Sequence, residues 1–359
     1  ADWMSEWEHR YEIRTTSTKH FTNREFSQPV SVLLAVAPII TALVCFTIGR
    51  YSLSVGEVAA GFWSILTQGK ASVSSQLYSV LINIRLPRIL LAILCGPGLA
   101  VAGAAFQSLF SNALATPDTL GVASGASLGA VLGLFFKQDL LVVQILAMLF
   151  GIVAVLLTYF ISKQKNRNSS VITVILSGMA VSAIFNALIS VLKFVADTED
   201  QLPTITYWLM GSLANGNYKS LLLCSPLIII GIVVITGLRW RLNILCLSED
   251  EAKTQGVKVH SLRIAISLAA TLITAASVSM CGQVGWVGLL IPHICRLLFG
   301  SNNQRILPAC ISLGAVFMLM MDTLARSASS VEVPISILTA LIGAPVFISL
   351  IRKTGGTQL

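Results

Sequence analysis

Apolar residues gather in ten runs, near 31–49, 89–110, 119–136, 140–162, 171–195, 220–238, 263–281, 284–299, 306–325 and 334–351, with polar residues collected between them. A helix that crosses a bilayer needs about 20 predominantly apolar residues. The pattern therefore predicts an all-α, polytopic membrane protein with ten transmembrane helices. No linker or low-complexity stretch separates the runs, so they read as one membrane domain over 31–353, between a polar tail at 1–30 and a short tail at 354–359. The first tail lacks the charged, apolar, small-residue plan of a cleavable signal; because the chain does not open on Met, part of it can be of vector origin. Five runs in each half would set the halves antiparallel, as in the inverted repeats of many transport folds, although the similarity between the halves is too weak to assign a repeat.

Within the third run Gly121, Gly125, Gly129 and Gly133 recur every four residues and share one helical face. Lipid gives helices little hydrophobic reason to associate, so such a groove predicts close packing against a neighbouring helix. Three stretches between runs carry structure of their own. The 52–70 segment spaces Val55, Val58, Ala59, Phe62 and Ile65 as an amphipathic helix on the outer surface. The 197–219 segment holds Tyr207 and Trp208, which suit an interfacial belt. The third, 247–257, is a polar island with the start and stop signals of a soluble helix. Ser248 can act as N-cap with Glu251 completing a capping box, and Glu249, Asp250 and Glu251 suit the positive end of the helix dipole. Gly256 can supply the left-handed residue that ends it. A capped helix on a loop between spans predicts a surface presented to a partner in water.

Composition agrees with the membrane reading: of 359 residues 55% are hydrophobic and 11% charged, and the mean hydropathy is +0.81. With an even number of crossings both termini share a side. If that side is cytoplasmic, the inner segments hold Arg10, Arg14, Lys19, Arg24, Lys163, Lys165, Arg167, Arg239, Arg241, Lys253, Lys258, Arg263, Arg296, Arg305, Arg352 and Lys353, which is 16 of the 24 basic residues. The positive-inside rule thus predicts cytoplasmic termini and a cytoplasmic 247–257 helix. The net charge of +8 is a topology signal and gives no support for nucleic acid. The seven cysteines, free of any C-x-x-C pair, read as small buried hydrophobes.

Arg85, Arg88 and Arg326 stand on the outer side against this bias. Two readings apply: long cationic side chains snorkelling to headgroups, or a basic patch that receives acidic residues of an external partner. Asp322 is an ionisable group in a span, four residues from Arg326 and placed to pair with it on one helix face. His293 follows Pro292 with no second ligand nearby, which favours hydrogen-bonded packing over a metal or proton relay. The chain has no G-x-x-x-x-G-K-[ST] loop, no G-x-S-x-G elbow and no H-E-x-x-H helix. An ion-coupled secondary transporter would need intramembrane acids without basic neighbours, and a membrane enzyme would need a convergent acid, base or metal set; neither pattern is found.

The chain resembles the permease subunits of bacterial type II ABC importers for iron-siderophores, haem and cobalamin, the FecCD and cobalamin-permease family, from about residue 50 to 353. The resemblance is carried by the Arg85-Leu86-Pro87-Arg88 segment, the stretch from Gly103 to Phe110 followed by Asn112, the run from Leu120 to Ala126, and the run from Gly288 to Arg296. The Asp322 to Arg326 segment and the stretch from Glu332 to Phe347 complete it. It implies a type II importer permease fold in the bacterial inner membrane, paired with a second permease copy or a paralogue. Two cytoplasmic ATPase subunits carry the ATP and Mg, and a periplasmic or lipid-anchored binding protein delivers the cargo. No cofactor or metal is implied on this chain. By the same resemblance Leu247, Ser248, Glu249, Asp250, Glu251, Ala252, Gly256 and Val257 form the helix that docks in the ATPase. Arg85, Arg88 and Arg326 meet carboxylates of the binding protein, and Asn112, Leu114, Ser169, Ser170 and Val171 form the cytoplasmic gate. Ser248 stands where the family often has Gly, Gln255 where it has Leu, and Ala113 where it has Pro. The implied activity is alternating-access import of a ferric siderophore, with haem and cobalamin as the other cargoes of the class.

Overall fold

Inside a bilayer backbone N–H and C=O groups find no water, so a spanning chain must satisfy them internally. The computed structural model describes residues 26–163, 171–214, 216–246 and 249–354, and these residues form helices and turns without a strand. In chain order the helices are α1 (Gln28–Thr47), α2 (Val55–Gln68), α3 (Ser75–Leu109), α4 (Val122–Phe135), α5 (Leu140–Ser162), α6 (Val171–Val195) and α7 (Gln201–Leu209). They continue as α8 (Tyr218–Gly237), α9 (Arg239–Leu245), α10 (Glu249–Thr254), α11 (Val259–Cys281), α12 (Val287–Phe299), α13 (Asn303–Ser327) and α14 (Ile335–Thr354).

Among the described residues seven helices, α1, α3, α5, α6, α8, α11 and α13, are long and apolar enough to span. Three shorter apolar helices, α4, α12 and α14, occupy the third, eighth and tenth predicted runs. The core is built on α3 and α11, whose apolar stretches are 83% and 78% buried, while α1, at 11%, lies on the rim. Close backbone approach sets this core: a Cβ on Gly103 of α3 would stand 1.9 Å from the Gly288 carbonyl oxygen of α12, so only glycine fits.

Three of the runs differ from the sequence expectation. The second span does not begin near 89; α3 starts at Ser75 and runs for 35 residues, including a π-helical stretch at Ser79–Arg85. Pro87 has no N–H to return to residue 83, and the Leu86 amide bonds five residues back to Leu81 instead. Arg85 and Arg88 therefore lie inside a helix rather than ahead of one. The third and eighth runs are not helical throughout either. At about 1.5 Å per residue, the 14 residues of α4 and the 13 of α12 rise roughly 20 Å, short of a hydrocarbon core of about 30 Å. Each is preceded by irregular chain, through the 3-10 turn Pro117–Leu120 and through 282–286.

The glycine stripe packs as expected over three of its four members. Cβ atoms on Gly125 and Gly129 would lie 2.5 and 2.2 Å from the Phe150 and Leu146 carbonyl oxygens of α5, and one on Gly133 would meet Val143. Gly121 departs from the stripe. It is the N-cap of α4 at φ +79°, and its neighbours are Ser182 and Gly178 of α6. Of the aromatic pair on α7, Trp208 is buried in the bundle and Tyr207 is half-buried.

Candidate functional site

The two irregular segments face one space. A chamber of about 500 Å3 is lined by Thr116, Pro117 and Asp118 ahead of α4 and by Gln283, Val284, Gly285 and Trp286 ahead of α12. Leu99 of α3, Asn186 of α6, Thr274 and Val278 of α11, and Ser336 and Ala340 of α14 complete its wall. Non-helical backbone at membrane depth is tolerated where it is buried in protein or borders a water-filled cavity, and both interruptions satisfy that condition here. Trp286 caps α12 at φ +70° and packs against Gly343 of α14. A bulky residue at positive φ is strained backbone of the kind that persists where surrounding packing holds it. Among the described residues lining the chamber, Asp118 is the one charged side chain; the other polar ones are amides and hydroxyls. Sequence reasoning missed this set. Its signal was the shortness of the third and eighth runs, in matching positions of the two halves, a pattern that points to the transport site in folds with discontinuous helices.

The three outer arginines do not form the exposed patch expected of them. Arg85, Arg88 and Arg326 are 4%, 6% and 8% exposed, and their guanidiniums point into the bundle. Arg88 Nε lies 2.6 Å from Asp322 Oδ1, and its Nη1 lies 2.7 Å from Glu332 Oε1. The anticipated Asp322–Arg326 pair is present at 3.5 Å without hydrogen-bond alignment, so Arg88 is the closer partner of Asp322. Arg85 donates to the carbonyls of Phe46 and Tyr51, and Arg326 to the carbonyl of Cys45, all at or just past the end of α1. The physical reason is the early start of α3, which carries Arg85 and Arg88 into the helix–helix contact. There two carboxylates and the carbonyl-rich end of α1 compensate them.

At the other end of α3 and α13 the groups that join them to α9 are neutral, while Arg296 of α12 donates to Gln107 of α3. Asn243 of α9 donates Nδ2–H to Asn302 Oδ1 at 2.9 Å and accepts the Asn303 amide at 2.9 Å, while Ser108 of α3 donates to Asn303 Oδ1 at 3.0 Å. This network supplies N-terminal amides of α13 with acceptors, because Asn302 also accepts from the Gln304 amide. It is reached from the polar island in a few residues. That island is helical over Glu249–Thr254, and Gly256 has φ +71°, the stop predicted for it. Ala252 turns inward against α9 and α11, whereas Glu251, Thr254 and Gln255 are exposed. Leu247 and Ser248, the proposed cap, lie outside the described residues, as do the side chains of Glu249 and Asp250. Val257, just past the stop, is half-buried.

Of the gate residues, Asn112 sits in the turn after α3, where its Oδ1 accepts the Leu114 amide at 2.9 Å, and the Leu114 side chain is exposed. Val171 opens α6; Ser169 and Ser170 lie outside the described residues. His293 is buried with its ring edge toward Phe347 at 5.4 Å, and among the described residues its Nε2 has no hydrogen-bond partner. The hydrogen bond expected for it is thus absent at Nε2. Among the described residues no three His, Cys, Asp or Glu side chains converge as a metal ion would require.

A bundle of apolar helices with two interrupted members around a polar chamber, and a short helix offered to water, is the architecture of a membrane permease. Residues 38–353 match the model of the FecCD transport family, and the chain belongs to that family of ABC importer permeases. It is 42% identical over 320 residues to the molybdate import system permease protein MolB of Haemophilus influenzae, covering 89% of this chain and 94% of that protein. It is 33% identical over 324 residues to a probable iron chelatin transport system permease protein of Helicobacter pylori, covering 90% and 98%. A solved inward-facing structure of a putative metal-chelate type ABC transporter matches with a TM-score of 0.81 at 40% identity, covering 91% of this chain and 100% of that one.

Proposed function

We propose that this chain, paired with a second copy or a paralogue, carries a metal chelate of the ferric-siderophore class across the bacterial inner membrane by ten crossings with cytoplasmic termini. Two ATPase subunits bearing the nucleotide and its Mg engage α10 from the cytoplasm, and a binding protein delivers cargo outside. ATP-driven closure of the ATPases moves α10, and the bundle rocks between outward and inward openings. The gate at Asn112, Leu114 and the start of α6 controls the inner mouth. No bond of the cargo is made or broken on this chain.

One observation carries the choice of cargo: the chamber lining offers amides and hydroxyls, a lone carboxylate at Asp118 and no lysine or arginine. A chelate whose metal charge is already neutralised by its own ligands passes such a wall without a fixed counter-charge. A bare dianion would meet an uncompensated carboxylate at Asp118. The similarity to iron-chelate permeases agrees with that choice, and haem and cobalamin satisfy the same wall. A second reading, import of an oxyanion, is favoured by the 42% identity to the molybdate permease.

The test is ATP hydrolysis by the complete complex in liposomes, with the binding protein loaded in turn with ferric siderophore, haem, cobalamin or molybdate. Ferric siderophore is expected to give the largest stimulation. Stimulation by molybdate alone would sink the cargo assignment, and uptake by the permease without the ATPase would sink the importer reading itself.

A further inference from the structure

Helix α2 has more apolar surface than the protein covers. Successive residues turn about 100° in a helix, which divides α2 into three sectors. Val58, Gly61, Phe62 and Ile65 face the bundle, where Phe62 meets Phe46 of α1 edge to face at 5.2 Å between ring centroids. Glu57, Ala60, Thr67 and Gln68 form a largely polar, exposed sector. Between them Val55, Ala59, Trp63 and Leu66 fall within one arc of about 80°, and this apolar sector is open. Val55, Trp63 and Leu66 are 74%, 69% and 83% exposed.

We propose that this third sector is a lipid-docking surface, seated in the interfacial layer of the bilayer leaflet at which α1 ends. Three observations support a lipid occupant. The first is continuity: α1 carries a bare apolar strip through Leu43, Val44 and Ile48 up to the Phe46–Phe62 contact, and a rim helix of a membrane protein meets acyl chains there. The second is the order of the sectors, because protein, lipid and water on three successive sides is the environment of a helix lying at a membrane surface. The third is Trp63, at the edge of the apolar arc nearest the polar sector, where the indole body can face hydrocarbon and its N–H can face headgroups. The local structure fixes the helix in this pose. The Ser54 side chain accepts the Glu57 amide and Glu57 accepts the Ser54 amide, while Gly69 ends the helix at φ +82°. At 14 residues with a polar sector, α2 is not a span.

The experiment compares the full complex with its Trp63→Phe variant in nanodiscs of phosphatidylethanolamine and phosphatidylglycerol, so that the difference emission isolates Trp63. Acyl-brominated phospholipid is expected to quench that difference signal while aqueous iodide leaves it unchanged. Quenching by iodide without quenching by bromolipid would overturn the proposal. So would protection from iodide that arises only when the external binding protein is added, since that result assigns the face to a protein.

Discussion

Where α1 finishes, three buried guanidiniums and two carboxylates join α1, α3 and α13. At the opposite end of the same two long helices, Ser108, Asn243, Asn302 and Asn303 join α3, α9 and α13 through neutral groups. Both sets pair polar groups inside the bundle, the charged one leaving Arg88 Nη2, Arg326 Nε and Glu332 Oε2 without a hydrogen-bond partner among the described residues, and the cost of disturbing them differs. Removing one partner of a buried ion pair strands a charge and costs about 3–5 kcal/mol, whereas a stranded neutral group costs about 1–3 kcal/mol. The end that ties down a rim helix is thus made expensive to open. The α3–α9–α13 junction next to α10 is made of neutral bonds that can be exchanged at lower cost. The ties to α1 are thus charged and the ties between α3, α9 and α13 are amide and hydroxyl groups.

The largest effect that can break this comparison is expected from Asp322→Asn. It leaves Arg85, Arg88 and Arg326 with Glu332 as the remaining carboxylate, and a loss on the order of 3 kcal/mol should appear as a clear drop in the thermal unfolding midpoint in detergent. If the midpoint moves no more than it does for a change at the neutral end, the contrast fails. Asn243→Ala is the matching change there. It should lower stability by about 1–2 kcal/mol yet reduce cargo-stimulated ATP hydrolysis more than basal hydrolysis, because it detaches the segment leading into α10 from α13. Equal reduction of both rates would mean that Asn243 serves folding alone.

The smallest effect separates these long-range ties from a local one. Ser54→Ala should cost about 1 kcal/mol, confined to the first turn of α2 and read by amide exchange there. The bonds from the Ser54 backbone and then its side chain hold the Glu57 carboxyl below its ordinary value of 4.5. A carboxylate depressed in the folded state contributes fully above its unfolded value and loses that contribution as pH falls through the folded one. Protection of this turn should therefore decline below about pH 4.5 while α3 and α13 stay protected.

Much of this was legible along the chain. The ten runs located the seven long apolar helices and three short ones, the 52–70 periodicity located α2, and Gly256 marked the end of α10, because each of these signals is local. The arginines show where local reading stops. Their position beside an apolar run suggested a surface, yet a π-helical stretch lengthens α3 and turns them inward to carboxylates more than 230 residues away in sequence. The chamber was equally hidden, since Asp118 and Gln283 are ordinary turn residues until two short helices set their preceding segments against one another.

Hydropathy and punctuation thus determined the helices and the polar island, since those depend on what a stretch of chain can bury or cap by itself, and the motif segments carried the family. Which charges face one another, which interruption borders a cavity and which side of α2 remains bare were decided only by packing. Those outcomes are energies of contact between distant segments, and no single segment contains the information for them.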